Sequence, residues 1–190
     1  MPSSPSAALE SARGRRVIVT GGTSGIGLAA ALRFAAAGDD VAVLARGEVG
    51  LSSAREQTAA NGRECRAFAV DVTDRGALEE AIDAAAAALG GIDAAVVNVG
   101  ASSYGRFVDT PPADFDRVLA VSFGSAVDTV RAVLPALERS DGSLVVVGSA
   151  ASEIPLPRMS AYTAAKHALR GSWKRCGWSC APRGRRSPLR

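Results

Sequence analysis

The sequence predicts an α/β protein built as a three-layer, doubly wound parallel sheet. Short β-branched or apolar runs alternate with long alanine-rich stretches of helical periodicity, and this rhythm holds from residue 15 to about residue 170. Most of the helical stretches end in glycine or in polar turns. Such an alternation indicates a parallel sheet with helices on both faces. The strand candidates are residues 17–20, 41–45, 67–70, 94–98 and 144–147.

Three segments are expected along the 190 residues. Residues 1–12 are rich in Ser, Pro and Ala and have neither a basic start nor an apolar core, which predicts a disordered leader and not a signal peptide. Residues 13–170 form the expected domain. Residues 171–190 have neither helical nor strand periodicity and contain two Pro and three Gly, so we expect an irregular basic tail that does not continue the preceding helix.

Composition limits the classes of function. The longest apolar stretches, such as 84–89, fall far short of the ~20 residues that span a bilayer, so no membrane partner is expected. Three cysteines do not form the even-numbered framework of a secreted scaffold, and the chain is predicted to be cytoplasmic.

The positive net charge comes from the tail. The chain carries a net charge of +3, but residues 171–190 hold six basic side chains and no acidic one, which leaves 16 basic against 19 acidic residues elsewhere. We therefore expect no specific nucleic-acid partner. No metal site is expected either, because Cys176 and Cys180 lack further ligands and His167 is the only histidine.

Several helices have start and stop signals. The helix after the first strand has apolar positions at Ile26, Leu28, Leu32 and Phe34. A second helix is predicted over 74–89, ended by two glycines. A long helix is predicted to begin with Thr110 as N-cap and Pro111 in its first turn.

A glycine run joins the first strand to the first helix. Thr20 closes the strand, and Gly21, Gly25 and Gly27 follow at a spacing that forms a tight turn and opens a helix. Free N–H groups at that helix end can bind a pyrophosphate, and the glycines let the backbone approach it. The alternative is a turn with a structural role only. The other predicted contact residues of this run are Thr23, Ser24 and Ile26.

The residues after the second strand favour NADP over NAD. Ala45 stands where an Asp or Glu would bind a free ribose 2′-hydroxyl, and Arg46 follows. An arginine beside a missing carboxylate suits a 2′-phosphate. The alternative is that Arg46 is a solvated loop charge.

Two further strand ends contribute candidate cofactor contacts. Asp71 and Val72 close the third strand, where the carboxylate could accept from an adenine amine; a turn or N-cap role is the alternative, and Asp74 is the better N-cap. Asn98 and Gly100 end the fourth strand, where the amide can tie neighbouring strands and the glycine permits close approach to a cofactor. A simple turn is the alternative there.

Three residues form a candidate proton-transfer site. Tyr162 and Lys166 are four apart and therefore share one helix face, so the ammonium can stabilise the phenolate. Ser149 lies thirteen residues before Tyr162, at a strand end, and can hold a substrate oxygen. The alternative for the pair alone is a packed tyrosine with a lysine whose chain runs along the surface.

Taken together, these motifs resemble the short-chain dehydrogenase/reductase family over residues 15 to about 170. The resemblance implies a Rossmann fold and hydride transfer between NADP(H) and a small ketone or secondary alcohol. It also implies a general acid/base at Tyr162, ribose binding and tuning by Lys166, a substrate-orienting Ser149, and a homo-oligomer.

The chain departs from the family pattern at two motifs. Its Val97-Asn98-Val99-Gly100 replaces the family's Asn-Asn-Ala-Gly, and Ser122, within Val121-Ser122-Phe123, replaces a catalytic asparagine. Ser122 is expected to hold a water of the proton relay with less reach than an amide. These departures keep open a non-catalytic nucleotide-binding or interaction protein.

The family's last strands and substrate-covering segment are not recognisable after residue 171. When Ser172 to Cys180 are back-translated with G/C-rich codons, one C inserted after the Gly171 codon gives L-V-E-A-L-R-V-E-L, an amphipathic helix. We therefore expect a frameshifted, truncated chain with weak nucleotide binding and little turnover.

Overall fold

The computed structural model describes residues 14–176, with side chains up to Ser172. Five strands form one parallel sheet in the order β3-β2-β1-β4-β5, which confirms the predicted α/β class. The strands are β1 Arg16–Thr20, β2 Asp40–Ala45, β3 Arg66–Ala69, β4 Ala94–Val97 and β5 Ser143–Val146. The helices are α1 Gly25–Ala36, α2 Glu48–Ala60, α3 Arg75–Leu89, α4 Pro112–Leu119, α5 Ser125–Ser140 and α6 Ser160–Cys176.

The first strand lies at the centre of the sheet, where the strand order reverses. Val17 of β1 is in register with Val41 of β2 on one side and with Ala94 of β4 on the other. Open parallel sheets bind ligands at the carboxyl ends of the strands at this point of reversal. Among the described strands β5 forms one edge, and Val145 there is 54% exposed.

Both faces of the sheet are covered by helices. Ile18 packs in one core layer with Leu78 of α3 and Val133 of α5, whereas Val19 packs in the other layer with Leu51 of α2. Strands buried on both faces are apolar without alternation, as β1 is. The two layers place the carboxyl ends of β1 and β4 between the helix pairs.

Helix α1 buries a different face from the one predicted. Its buried residues are Gly27, Ala31 and Ala35, while Ile26 is 65% exposed. Leu28 and Phe34 pack only partly against the core. Small residues at four-residue spacing let the helix approach the strands closely, a signal that a search for large apolar residues misses.

The helix start signals give one confirmed and one wrong prediction. Asp74 caps α3, because its carboxylate accepts from the N–H of Ala77 at 3.1 Å. Thr110 is not the N-cap of α4; its hydroxyl donates to the carbonyl of Arg106 at 2.9 Å. Pro111 is the N-cap and Pro112 the first helical residue, a position where the missing N–H costs nothing.

The segment Pro112–Ser140 is continuous, with a π-helical turn, Ala120–Gly124, between α4 and α5. By length and composition alone this segment could cross a membrane, a test that buried helices of soluble proteins also pass. It packs on the sheet through residues such as Val133 and Leu137 of α5.

The prediction that the tail does not continue the last helix is wrong for residues 171–176. Helix α6 runs through Gly171 to Cys176, the last described residue, and the Ser172 hydroxyl donates to the carbonyl of Ala168 at 2.9 Å. A helical glycine costs about 1 kcal/mol relative to alanine, which is not enough to stop a helix that has already formed. Helical periodicity in a sequence shows that one face of a helix is buried. Its absence after residue 171 therefore does not show where the helix stops. The predicted leader and residues 177–190 of the predicted tail lie outside the described residues.

Candidate active site

The glycine run lies at the carboxyl end of β1, where the strand order reverses. Helix α1 begins at Gly25, and Ser24, its N-cap, makes no side-chain capping hydrogen bond. The first N–H groups of a helix have no partner within the helix. In this turn no capping side chain competes for those groups, so an anion such as a phosphate could bind them.

Close packing fixes the shape of this turn. A Cβ atom at Gly27 would collide with the carbonyl oxygen of Gly21 and lie 2.6 Å from the Asn98 side-chain nitrogen. That nitrogen donates to the Gly21 carbonyl at 3.3 Å, and the Asn98 backbone N–H donates to the Thr20 hydroxyl at 3.1 Å. Asn98 therefore ties the ends of β1 and β4, with its own side chain as part of the turn.

The outer side of the turn is open. Gly25 has φ +51°, a left-handed conformation that favours glycine, and a Cβ there would meet no heavy atom within 4 Å. Thr23 rests against α2, where a Cβ at Gly50 would lie 3.1 Å from the Thr23 Cβ. An open, glycine-lined cradle with available N–H groups fits a dinucleotide pyrophosphate.

Arg46 and Asp71 lie at the ends of β2 and β3, close enough to interact electrostatically. Asp71 accepts from the Thr73 N–H at 2.9 Å and from the Thr73 hydroxyl at 2.8 Å, both on Oδ1. These two bonds, and then the exposed positive charge of Arg46, lower the pKa of Asp71. The Asp71 carboxylate thus takes the turn role, while Val72 beside it is buried.

The structure brings Tyr162 and Lys166 together on α6. The Lys166 Nζ lies 5.8 Å from the centre of the Tyr162 ring and donates to the carbonyl of Val147 at 3.0 Å. Lys166 is only 3% exposed, and this burial lowers the pKa of its ammonium. A Cβ at Gly100 would lie 3.9 Å from the same Nζ, so the end of β4 borders this pair.

Ser149 is held at the start of a short 3-10 helix, Ala150–Ser152. Its hydroxyl oxygen accepts from the Ala151 N–H at 3.1 Å, and its backbone N–H donates to the Ser152 hydroxyl at 3.2 Å. These bonds fix the position of Oγ. Its own hydroxyl hydrogen has no acceptor in the described part of the chain and remains available to donate.

Ser122 is buried within the π-helical turn, and its hydroxyl both donates and accepts a hydrogen bond. It donates to the Ala101 carbonyl at 2.7 Å and accepts from the Ala101 N–H at 2.9 Å. A Cβ at Gly100 would lie 3.8 Å from Ser122 Oγ, so Ser122 sits beside the same strand end as Lys166. The hydroxyl proton is committed to Ala101, but one lone pair of the oxygen is left to accept from a water. The side chain fastens the chain after β4, and the water-holding role stays a prediction.

Sequence reasoning missed two contributors. The Val147 carbonyl orients Lys166, and the Thr20 hydroxyl anchors Asn98. Every residue has a carbonyl, so no sequence signal singles out Val147. The sequence places Thr20 at the end of a buried strand, and the need of a buried hydroxyl for a partner is the signal that could have identified it.

The fold and this arrangement of residues define a Rossmann-like α/β protein. A family model described as "short chain dehydrogenase" matches residues 15–184. The chain belongs to that family.

Relatives cover much of this chain but extend beyond it. The "Probable oxidoreductase EphD" of Mycobacterium tuberculosis is 39% identical over 154 residues, which are 80% of this chain and 26% of that protein. The "D-beta-hydroxybutyrate dehydrogenase" of Cupriavidus necator is 32% identical over 162 residues, 85% of this chain and 63% of that protein. The chain thus spans less than two thirds of either relative.

Solved structures show the same fold. A putative short-chain alcohol dehydrogenase from Sinorhizobium meliloti superposes with a TM-score of 0.84 at 32% identity, covering 89% of this chain and 68% of that one. An NAD⁺-bound xylitol dehydrogenase superposes with a TM-score of 0.86 at 30% identity, covering 90% of this chain and 66% of that one.

Proposed function

We propose that the protein is an oxidoreductase that transfers hydride between NADP(H) and a small ketone or secondary alcohol. The observation that carries this proposal is the buried Lys166, held by the Val147 carbonyl beside Tyr162 and the end of β4. Membership of the short chain dehydrogenase family and the names of its relatives as oxidoreductases and dehydrogenases support the reaction class.

The cofactor proposal rests on the glycine turn and on Arg46. The bound nicotinamide cofactor would supply the hydride donor or acceptor. The N–H groups at the start of α1 would bind its pyrophosphate, and Asn98 would keep the turn in shape. Arg46, exposed and following Ala45, would pair with a 2′-phosphate, which favours NADP.

Proton transfer is assigned to Tyr162. Its phenol would give a proton to the substrate oxygen in reduction and take one in oxidation. The Lys166 ammonium, fixed by Val147, would stabilise the phenolate electrostatically and bind the nicotinamide ribose. The hydroxyl of Ser149, whose oxygen is already positioned by Ala151, would donate to the same substrate oxygen.

The test uses the 190-residue chain. NADPH and NADH are titrated by following cofactor fluorescence, and NADPH consumption is then followed with a panel of ketones. We expect NADPH to bind more tightly than NADH, and the small NADPH consumption expected of this chain to disappear in Tyr162→Phe while NADPH binding is retained. A chain that binds neither nucleotide would contradict the proposal.

Ser122 favours a second candidate function, a nucleotide-binding protein without catalysis. Its hydroxyl donates its proton to the Ala101 carbonyl and accepts from the Ala101 N–H, which leaves a single acceptor position in place of the family's amide. This candidate predicts that the wild type binds NADPH but does not consume it with any ketone. It also predicts that Tyr162→Phe binds NADPH with the same Kd as the wild type. Consumption that depends on Tyr162 excludes it.

A further inference from the structure

A cavity of about 500 Å³ lies beside α6, away from the candidate active site. Thr163, Ala164 and His167 line it. At about 100° of rotation per residue, Ala164 and His167 lie about 100–160° around the helix from Tyr162 and Lys166, and Thr163 about 60–100°. The volume is in the range of small-molecule sites. A ligand there would therefore occupy a place separate from the proposed reaction.

An arginine borders this cavity in a conformation that is unfavourable for it. Residues Leu156 to Met159 form a turn in which the Met159 N–H donates to the Leu156 carbonyl at 3.2 Å. Pro157 is the second residue of this turn, and Arg158, with φ +60°, is the third. This combination is typical of a type II turn, whose third position favours glycine. Strained residues of this kind concentrate at functional sites, where their side chains are needed.

The surroundings hold Arg158 in place without neutralising it. Its carbonyl accepts from the Gly105 N–H at 2.9 Å, and its guanidinium lies 5.8 Å from the centre of the Tyr104 ring. Within the described side chains it has no carboxylate within ion-pair distance. Glu153, on the same loop, is paired with Arg170 at 2.5 Å. Arg158 is thus a positioned but unpaired cation.

Arg106 and His167 line the cavity with Arg158. Arg106 makes only a long contact of 3.5 Å to the exposed Asp109. His167 Nδ1 is 3.0 Å from the Thr163 carbonyl, which only accepts, so Nδ1 carries the proton and Nε2 has no partner among the described residues. None of the described lining residues is acidic. The two guanidinium groups therefore suit this lining to an anion, whereas His167 offers only an acceptor at Nε2 in its neutral form and takes no part in binding the anion.

The remaining lining is largely apolar. It includes Phe107, which is 70% exposed, and Pro155, Leu156 and Ala164. We propose that this cavity binds a small organic acid, with its apolar body against these side chains and its anionic group on the guanidinium of Arg158, assisted by Arg106. Guanidinium groups bind carboxylate, phosphate and sulfonate oxygens through paired N–H donors.

The test is a calorimetric titration of the full chain with octanoate, compared with octanamide and with inorganic phosphate. Octanoate combines an apolar body with an anion, octanamide keeps the body without the charge, and phosphate keeps the charge without the body. We expect octanoate to bind at least tenfold more tightly than either. Equal binding of octanoate and octanamide would overturn the proposal.

The matched variant is Arg158→Gly, which suits the φ of the turn and removes the guanidinium. We expect it to fold at least as stably as the wild type and to weaken octanoate binding at least tenfold, whereas Arg33→Ala, on the exposed side of α1, leaves binding unchanged. Saturating NADPH should not displace octanoate. Displacement by NADPH, or unchanged affinity in Arg158→Gly, would show that octanoate binds elsewhere and contradict the assignment. Failure of octanoate to bind because a second copy of the chain covers the cavity, seen as a dimer in sedimentation, would also contradict it.

Discussion

The Nζ of Lys166 donates a hydrogen bond to the backbone carbonyl of Val147, with 3.0 Å between the two atoms. This bond joins α6 to the chain just beyond β5 and fixes the ammonium beside Tyr162. The ammonium is almost fully buried, and one carbonyl replaces only part of its hydration. Holding the charge in this position therefore lowers the stability of the fold while it serves the proposed chemistry.

The pH dependence of stability should report this burial. The pKa of Lys166 in the folded chain lies below its ordinary value of 10.5, so between the two values the unfolded chain binds more protons. Stability attributable to Lys166 therefore rises with pH through that window and falls as the pH drops through the folded pKa. We expect the free energy of unfolding of the wild type, measured in urea relative to Lys166→Met, to increase towards pH 10.5. A difference that does not vary with pH would show that burial does not perturb this lysine.

Replacing Gly27 by alanine should damage the glycine turn. The added Cβ collides with the Gly21 carbonyl oxygen and crowds the Asn98 amide, so we expect a loss of about 1–3 kcal/mol in the free energy of unfolding and weaker NADPH binding. Gly76→Ala, in the first turn of α3, is the control, because its Cβ meets only ordinary contact distances. It should stabilise the chain by about 0.5–1 kcal/mol without affecting NADPH binding. Equal effects of the two variants would refute the packing argument.

The cap of α3 gives a prediction about stability alone. Asp74→Ala removes the acceptor of the Ala77 N–H and should cost about 1 kcal/mol, while Asp74→Asn keeps an acceptor oxygen and should cost much less. The urea concentrations at the midpoint of unfolding check this, provided that the free energy of unfolding depends on urea with the same slope in both variants. NADPH affinity should be unchanged in both. An alanine variant as stable as the asparagine variant would mean that the cap contributes little.

Much of the fold could be predicted because local signals and tertiary structure agree. The buried strands are apolar without alternation, and Asp74 precedes its helix in a position where only capping groups are favoured. The start of α4 was misplaced because Thr110 and the two prolines after it each suit a helix start. The continuation of α6 through Gly171 was missed because a helix already formed propagates through one poor residue.

The site was less predictable than the fold. Residue types and spacing could bring Tyr162 and Lys166 to one helix face, but the partner of the lysine is a backbone carbonyl. The same limit applies to Ser122, whose hydroxyl is used by the backbone of Ala101, twenty-one residues away along the chain. Backbone partners across such distances leave no trace in side-chain patterns.

The choice between NADP and NAD should depend on Arg46. Replacing it by aspartate removes the partner of a 2′-phosphate and adds an acceptor for a free 2′-hydroxyl. Hydrogen bonds to charged groups contribute about 1.5–3 kcal/mol, which corresponds to roughly a tenfold to hundredfold rise in the Kd for NADPH. NADH should bind more tightly than in the wild type. Arg33→Asp makes the same charge change in the last turn of α1, on its exposed side, and should leave the ratio of the two Kd values unchanged. If both variants changed the ratio equally, the preference would come from the overall charge of the protein, and Arg46 would be the solvated loop charge that its exposure also allows.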